Sequence, residues 1–359
     1  MKVLSLFSGI GAFEKALDNL GVPYELAGYC EIDKHASKSY AAIHGVSEDL
    51  NLGDITKVDE RAIPKDLDLT TYGFPCQDIS TSGKLKGLID TDGKQTRSGL
   101  LFDALRIIED AKPRVAIAEN VKNLTSRRFK QQFELVLKSL EDAGYNNYWK
   151  VLNLKEFGIP QNRERVFIVS IRKDVDNGLF SFPTGFPLKL HLKDVLEEMV
   201  DMRYYLSDRG LERLARRMKA GDAPEAKNLS GNGQPCMTVP AVLRPERTEY
   251  GKAIRKAYEA GEIHESRHNM TTLRPRTDGI SNTLTTVLKD NYVMESAKRI
   301  RELTPKEYFR LMGFSDEDHE KAASVNSNTQ LYKQAGNSIG VPCVEYILLA
   351  LFDCGALAR

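Results

Sequence analysis

The first 175 residues alternate short β-rich runs with segments of helical periodicity, and this alternation restricts the fold more than any other feature of the chain. The predicted strands are residues 3–7, 24–30, 67–72, 115–118 and 166–171. The predicted helices between them are residues 12–20, 35–44, 100–110 and 129–143. Strands that alternate with amphipathic helices are typical of a parallel sheet with crossover helices. We therefore predict a doubly wound α/β domain.

The alternation ends near Lys173, and a segment rich in proline and glycine follows it. Regular helical patterning returns at Thr304, which can cap a helix that has Pro305 as its first residue. Glu307 stands where the second residue of a capping box belongs. One more apolar helix is predicted over residues 341–351.

At 359 residues the chain is long for one compact core, so two domains or a large insertion are expected. We predict a Rossmann-like domain formed by residues 1–178 and 299–359. A smaller domain of residues 179–298 is inserted between these two stretches.

The composition is that of a globular protein, with 41% hydrophobic and 28% charged residues. We find no apolar stretch of the roughly 18–20 residues needed to span a bilayer, so we expect a soluble, cytoplasmic protein that does not bind membranes. The five scattered cysteines form no Cys-x-x-Cys pair, so we expect neither disulfides nor a metal site. The net charge of +1 does not by itself indicate a nucleic-acid partner.

A glycine-containing turn follows the first predicted strand, and acidic residues follow the next elements. In Phe7-Ser8-Gly9-Ile10-Gly11, glycines would allow a ligand to approach the backbone closely. Glu31 ends the second strand, where doubly wound folds place an acid that accepts hydrogen bonds from ribose hydroxyls. Asp54 would accept a hydrogen bond from an adenine amino group, with the adenine ring between Ile32 and Ile55; an ordinary turn aspartate is the alternative. The pattern indicates an adenosine-containing ligand, with an empty tight turn as the alternative.

Two common nucleotide-binding motifs are missing from this region. Position 14 is Glu, so there is no Gly-x-Gly-x-x-Gly, and there is no Walker lysine. Dinucleotides and nucleoside triphosphates are therefore excluded as the expected ligands.

A thiol, a carboxyl group and two arginines occur in order along the same half of the chain. Cys76 follows a strand end and Pro75, at the sheet edge where open α/β proteins keep their sites. Glu119 follows a later strand, and Arg163 and Arg165 are two residues apart on a strand. Each residue alone also fits a structural role, as a buried thiol, a helix-start acid or a solvated strand edge.

With these motifs, the chain resembles the bacterial and phage DNA (cytosine-5) methyltransferases. Three further segments carry the resemblance: Thr96 to Phe102, Leu303 to Phe314, and Gln334 to Ile339 followed by Pro342. The resemblance covers residues 1 to about 172 and about 300 to 350. The uncovered middle corresponds to the family's variable target-recognition domain.

The resemblance implies methylation of carbon 5 of a cytosine that has been flipped out of duplex DNA. Cys76 would attack ring carbon 6, because this ring is methylated only after a nucleophile has added to it. Glu119 would supply a proton or hydrogen bond at ring nitrogen 3. Arg163 and Arg165 would hold the ring oxygen and the carboxylate. Removal of the carbon-5 proton would then expel Cys76.

The resemblance also implies a cofactor and partners. The expected cofactor is S-adenosyl-L-methionine, with S-adenosyl-L-homocysteine as product and no metal. The residues expected to bind it are Phe7, Ser8, Gly9, Ile10, Gly11, Glu31, Ile32, Asp54, Ile55, Pro75, Leu100, Asn337 and Ser338. The residues expected to contact double-stranded DNA are Gln77, Ser82, Lys84, Lys86, Arg97, Arg244, Arg274 and Arg276. We expect a monomer, with a restriction endonuclease of the same specificity as a candidate partner.

Two other functions stay open. The tRNA-methylating branch of the family shares the catalytic core, but this chain has Pro235-Cys236-Met237-Thr238 instead of that branch's Cys-Phe-Thr. A catalytically silent nucleic-acid-binding relative would have no chemical reason to keep all four proposed catalytic residues.

Overall fold

A six-stranded sheet forms the centre of the larger part of the protein, in the order β2-β1-β3-β4-β6-β5. The computed structural model describes residues 1–80, 87–89, 93, 96–218, 241–259, 271–286, 291–296 and 299–359. The strands are β1 (Lys2–Leu6), β2 (Glu25–Cys30), β3 (Leu69–Tyr72), β4 (Val115–Val121), β5 (Tyr145–Asn153) and β6 (Glu164–Arg172). Strands β1 to β4 are parallel to one another, whereas β6 runs antiparallel to both β4 and β5.

The α/β fold is confirmed, but the sheet is not wholly parallel as predicted. Strand β5 was not predicted, because its polar sequence YNNYWKVLN lies at the sheet edge and has no continuous apolar run. Only about ten residues join β5 to β6, and a parallel connection needs a crossover of a dozen or more. The short connection therefore requires an antiparallel pair.

Helices cover both faces of this sheet. They are α1 (Ala12–Asn19), α2 (Lys34–His44), α3 (Leu101–Ala111), α4 (Lys130–Asp142), and, after the inserted segment, α7 (Pro305–Met312), α8 (Asp316–Val325), α9 (Asn328–Asn337) and α10 (Val341–Asp353). Along β4, Val115 and Ile117 join the core beneath α1 and α10, whereas Ala116 and Ala118 join the core beneath α3 and α4. The C-terminal helices thus complete a core that the first strand begins.

A smaller antiparallel sheet lies in the inserted part of the chain, in the order β10-β9-β7-β8. Its elements are α5 (Asp208–Ala215), β7 (Ala241–Arg247), α6 (Glu249–Glu259), β8 (Thr271–Arg276), β9 (Tyr292–Ser296) and β10 (Arg299–Glu302). It has its own apolar cluster, which includes Leu243, Leu273 and Ile300. The predicted domain boundary after residue 298 falls within this sheet, just before β10.

A buried ionic network joins the small sheet to α7 of the large domain. The side chain of Arg301 is fully buried, and its two Nη atoms each donate to a Glu307 carboxylate oxygen at 2.8 Å. Its Nε donates to Glu295 at 2.6 Å. Glu307 also accepts from the Thr304 amide, which confirms the predicted capping box. Removing one partner would leave a buried charge unpaired, which is strongly destabilising. The network therefore fixes the position of the small sheet where it joins the large domain.

Residues 328–353, which include α9 and α10, are long and apolar enough to cross a membrane, by length and composition alone. Of the most apolar window, 61% is buried inside the protein. Residues Ser338 to Gly340 separate the two helices, and α10 packs against α1 in the core. The segment is therefore a pair of core helices.

Glu14 is fully buried in α1, and neither of its carboxylate oxygens has a hydrogen-bond partner. Burial raises the pKa of Glu14 above its usual value, with the charge of His44 opposing this effect. A carboxyl group with a raised folded-state pKa contributes its stability below the unfolded pKa, and that stability is lost as the pH rises through the folded pKa.

We therefore expect Glu14→Gln to become more stable relative to the parent as the pH rises from about 4 to 8, by about 1–3 kcal/mol. Urea unfolding followed by circular dichroism across this range measures the difference. Glu109→Gln, at an exposed position of α3, is the control and should show no such trend. Parallel pH curves for the parent and Glu14→Gln would contradict the expectation.

Candidate active site

The carboxyl ends of β1 to β4 meet at one edge of the sheet and surround a cavity of about 350 Å³. Its walls include all four predicted catalytic residues, Cys76, Glu119, Arg163 and Arg165. They also include predicted cofactor residues, namely Phe7, Gly9, Glu31, Ile32, Asp54, Ile55, Pro75, Leu100 and Asn337, and the predicted DNA residue Gln77. The volume falls within the range usual for small-molecule sites.

Ser8, Ile10, Gly11 and Ser338 were predicted to bind the cofactor but are not among the residues that line this cavity. Ile10 is buried in the core. Gly11 has a φ of 79°, and a Cβ there would lie 2.1 Å from Nε2 of His44, so its glycine serves helix packing. The Ser8 hydroxyl is buried and has no hydrogen-bond partner, which leaves it free for a ligand group.

Glu31 is held in place by backbone amides. Its Oε2 accepts from the Gly9 amide at 2.9 Å, and its Oε1 accepts from the Asp33 amide at 2.8 Å. Burial raises the pKa of Glu31, and these two hydrogen bonds oppose the rise. Each oxygen retains a lone pair that can accept from a ligand hydroxyl.

The predicted adenine-binding residues border the cavity in two different environments. The Asp54 carboxylate accepts from both the amide and the hydroxyl of Thr56, and these bonds lower its pKa. Ile55 is buried, whereas the side chain of Ile32 is 72% exposed at the rim. A flat apolar ligand covering Ile32 would remove this exposed surface from water.

Cys76 follows β3 at the start of a turn, and its carbonyl accepts from the amides of Ile79 and Ser80 at 3.0 and 2.7 Å. Ile79 is fully buried and anchors this turn. Burial raises the pKa of the Cys76 thiol, and the positive charge of Arg165 opposes the rise. The thiol therefore ionises more readily than it would at this depth without the arginine.

Glu119 and Arg165 are brought together by the antiparallel pairing of β4 and β6. The Arg165 Nε lies 3.0 Å from Glu119 Oε1, but this oxygen has no aligned hydrogen bond. Burial raises the pKa of Glu119, with Arg165 and then Arg163 opposing it. Because its pKa is raised, Glu119 keeps its proton to a higher pH than an ordinary glutamate and can donate it.

Arg163 lines the cavity, but it holds protein backbone and does not reach Glu119 as an ion pair. Its Nη1 donates to the Leu284 carbonyl at 2.9 Å. Its Nη2 donates to the carbonyls of Gly336 and Ser338 at 3.2 and 2.6 Å. Burial and the charge of Arg165 lower the pKa of Arg163, although a guanidinium stays charged at neutral pH.

The predicted DNA-contacting residues are spread over two regions. Arg97 donates to Gln77 at 2.9 Å near the cavity. Arg244 and Arg274 face each other across β7 and β8 of the small sheet. Arg274 pairs with Glu246, and Arg276 pairs with Asp278. Ser82, Lys84 and Lys86 lie outside the described residues, as do Cys236 and its neighbours.

Two residues that were not predicted to belong to the site form an ion pair in the cavity wall. Lys333 of α9 lies 2.5 Å from the Asp33 carboxylate, and both residues line the cavity. The two residues are 300 positions apart in the sequence, so no local pattern could have predicted this pair. Across the described part of the chain, no group of three or more His, Cys, Asp or Glu side chains is arranged to hold a metal.

The sequence model for C-5 cytosine-specific DNA methylase matches residues 1–353. The orphan methyltransferase M.SPBetaI of Bacillus phage SPbeta is 35% identical, over 98% of this chain and 97% of that protein. The type II methyltransferase M.HhaI of Haemophilus parahaemolyticus is 32% identical, over 97% and 93%. The type II methyltransferase M2.ScrFI of Lactococcus lactis subsp. cremoris is 31% identical, over 98% and 99%.

Solved structures agree on the fold. The crystal structure of S. pombe Dnmt2 methyltransferase aligns with a TM-score of 0.60 at 20% identity, covering 98% of each chain. The Entamoeba histolytica methyltransferase EhMeth aligns with a TM-score of 0.65 at 16% identity, covering 98% of each chain.

The contacts of Arg163 predict a large effect on stability. Arg163→Ala would leave three buried carbonyls without their charged donor, so we expect a loss of about 2–4 kcal/mol in the free energy of unfolding. Arg165→Ala should cost less, because Glu119 can take up a proton when its partner is removed. Urea unfolding at neutral pH measures both, and equal stability of Arg163→Ala and the parent would contradict the interpretation.

Proposed function

The chain belongs to the C-5 cytosine-specific DNA methylase family, and from this membership we propose that it acts through a covalent Cys76 adduct on a flipped-out cytosine. It is a DNA (cytosine-5-)-methyltransferase. The proposed methyl donor is S-adenosyl-L-methionine. The proposed substrate is a short, specific sequence in duplex DNA.

One observation carries the proposal: the Cys76 thiol and the Glu119 carboxyl group line the same cavity as Glu31 and Asp54. The first pair can act on a pyrimidine ring, and the second pair can bind an adenosine. Methyl transfer needs these two ligands in contact, and a single cavity provides that.

The residues fit the adenosine end of the donor. The remaining lone pairs of Glu31 can accept from the ribose hydroxyls, and Asp54 can accept from the adenine amino group. The exposed Ile32 side chain can cover one face of the ring, with Ile55 behind the other. The orphaned Ser8 hydroxyl offers one more polar contact. When bound, the donor supplies an electrophilic methyl group on a sulfonium.

In the proposed mechanism, the Cys76 thiolate forms a bond to ring carbon 6, and the displaced electron pair moves toward ring nitrogen 3. Glu119 donates its proton to that nitrogen, so the ring does not carry the full negative charge. Carbon 5 then forms its bond to the methyl group as the methyl–sulfur bond breaks, and the electron pair of that bond stays on the sulfur of the departing S-adenosyl-L-homocysteine. Loss of the carbon-5 proton to a base restores the double bond and expels the thiolate, and Glu119 recovers its proton.

The arginines divide the remaining work. Arg165 lies beside both Cys76 and Glu119, where its charge favours the thiolate. Its remaining N–H groups can donate to the ring oxygen. Arg163 keeps the cavity wall in position through its three carbonyl contacts. The two arginines therefore have different proposed roles, although the sequence pattern predicted the same role for both.

The small antiparallel sheet, which extends beyond residue 298 to include β10, is proposed to belong to the target-recognition domain predicted over residues 179–298. Arg244, Arg274 and Arg276 on β7 and β8 are its candidate DNA contacts, together with Gln77 and Arg97 near the cavity. We propose a cytoplasmic monomer that associates with the nucleoid while it acts on DNA. A restriction endonuclease of the same specificity is the proposed protein partner.

Cys76→Ala should abolish methyl transfer, because the ring cannot be activated without the thiol. The measurement is transfer of labelled methyl from S-adenosyl-L-methionine to mixed genomic DNA and, in parallel, to tRNA, followed by methylation-sensitive sequencing. Cys354→Ala, at a half-buried thiol remote from the cavity, is the control and should retain activity. Label in tRNA alone, or full activity of Cys76→Ala, would overturn the proposal.

Glu119→Gln should slow the single-turnover rate by about 10²–10⁴-fold, because the amide cannot supply the proton. In the parent, the rate should rise with pH as the Cys76 thiol ionises and fall as Glu119 loses its proton above its raised pKa. The variant should lose the falling limb. Glu156→Gln, at an exposed carboxyl group, is the control, and a falling limb that persists in Glu119→Gln would count against the role of Glu119.

A further inference from the structure

We infer that Asn51 is a positioning residue for the methyl donor, and that it sets the spacing between Glu31 and the Gly53-Asp54 turn. Asn51 does not line the cavity. The inference deepens the proposed function, because it rests on Glu31 and Asp54 binding the two ends of an adenosine.

The Asn51 side chain makes four hydrogen bonds, which use its full donor and acceptor capacity. Its Nδ2 donates to the Glu31 carbonyl at 2.9 Å and to the Ser37 hydroxyl at 3.0 Å. Its Oδ1 accepts from the Glu31 amide at 3.0 Å and from the Gly53 amide at 2.9 Å. One planar amide therefore ties together three separate parts of the chain.

Asn51 holds Glu31 as a neighbouring strand would. It contacts both the amide and the carbonyl of Glu31, just beyond the end of β2. Leu52 continues this pairing, because its amide donates to the Tyr29 carbonyl at 2.7 Å. Backbone rotation at Glu31 would break two bonds to one side chain. By holding the backbone of Glu31, Asn51 thus restricts the position of the Glu31 carboxylate, which lines the cavity.

The same side chain holds the turn that leads to Asp54. Gly53 has a φ of 73°, a conformation that glycine adopts at low cost. Its amide is bound by Asn51, and its carbonyl accepts from the Cys30 thiol at 2.8 Å. Cys30 directly precedes Glu31. The turn is therefore fixed on both sides relative to β2, and Asp54 follows it directly.

An aspartate at position 51 would have nearly the same shape but the opposite effect. It would lack the two N–H donors that hold the Glu31 carbonyl and Ser37. It would also place a negative charge between Glu31 and Asp54, where like charges repel. Asn51→Asp therefore tests the hydrogen bonds with little change in volume.

The matched control is Asn147→Asp. Asn147 is also half-buried and uses both ends of its amide, donating to the Leu137 carbonyl and accepting from the Ser170 hydroxyl. It lies on β5, and it does not line the cavity. A general loss of packing should affect both variants, whereas a loss of ligand positioning should affect only Asn51→Asp.

Binding of S-adenosyl-L-homocysteine and of adenosine to the full-length protein is measured by isothermal titration calorimetry. For Asn51→Asp, we expect the Kd of both ligands to rise by about tenfold, which is within the range of couplings between residues in contact. The KM for S-adenosyl-L-methionine should rise in parallel, with kcat at saturation within about twofold of the parent. Asn147→Asp should leave the Kd and KM unchanged.

Asn51→Ala introduces no charge and serves as the second variant if Asn51→Asp is poorly folded. Its thermal unfolding with and without S-adenosyl-L-homocysteine reports binding without turnover. A ligand-induced rise in Tm equal to that of the parent would overturn the inference, as would an unchanged Kd in Asn51→Asp. Failure of the parent itself to bind S-adenosyl-L-homocysteine would instead overturn the proposed cofactor site.

Discussion

The guanidinium of Arg163 is the interaction on which the completed cavity depends. Arg163 directly precedes β6. Its guanidinium donates to the Leu284 carbonyl in the link to the small sheet, and to the carbonyls of Gly336 and Ser338 at the junction between α9 and α10. These three segments are far apart in the chain, and a single buried charge brings them to one wall. The acceptors of Arg163 are neutral backbone carbonyls, so no acidic partner among the described residues neutralises it. Its positive charge therefore still acts on the other charged groups of the site.

Burial and positive charge act in opposite directions on the two reactive groups of the cavity. Burial raises the pKa of both Cys76 and Glu119, which favours a neutral thiol and a neutral acid. Arg165 opposes the rise in each case. The thiol must lose a proton and the acid must keep one for the proposed chemistry, so the position of Arg165 decides how these demands are balanced. In a more buried site without Arg165 the thiolate would be disfavoured, and in a more solvent-exposed site Glu119 would ionise.

The parts of the site that follow strand ends could be predicted from the sequence, because the carboxyl ends of neighbouring parallel strands must meet. Glu31, Cys76 and Glu119 were found in this way, and all three line the cavity. The direction of an individual side chain could not be predicted. Arg163 and Arg165 share a two-residue spacing, yet one binds backbone carbonyls and the other pairs with Glu119.

Contacts between distant parts of the chain also escaped prediction. The Asp33 and Lys333 pair and the hydrogen bonds of Asn51 depend on how elements pack, and no local pattern encodes them. Gly11 shows the opposite case, because a glycine that suited a ligand-binding turn is required by the nearby His44 ring. Strand β5 was missed because an edge strand needs no continuous apolar run.

The wall formed by α9 has a consequence for how the protein is made. The last cavity residue of the sheet is Arg165, and Gly336 follows roughly 170 residues later, which at cellular synthesis rates is on the order of 10–30 seconds. During that interval α10 is also missing, so the face of the sheet on which α1 packs lacks the part of its cover that α10 supplies. The emerging chain therefore exposes apolar surface that ligand binding cannot yet stabilise. A ribosome that stalls while it synthesises the small sheet would release a product prone to aggregate.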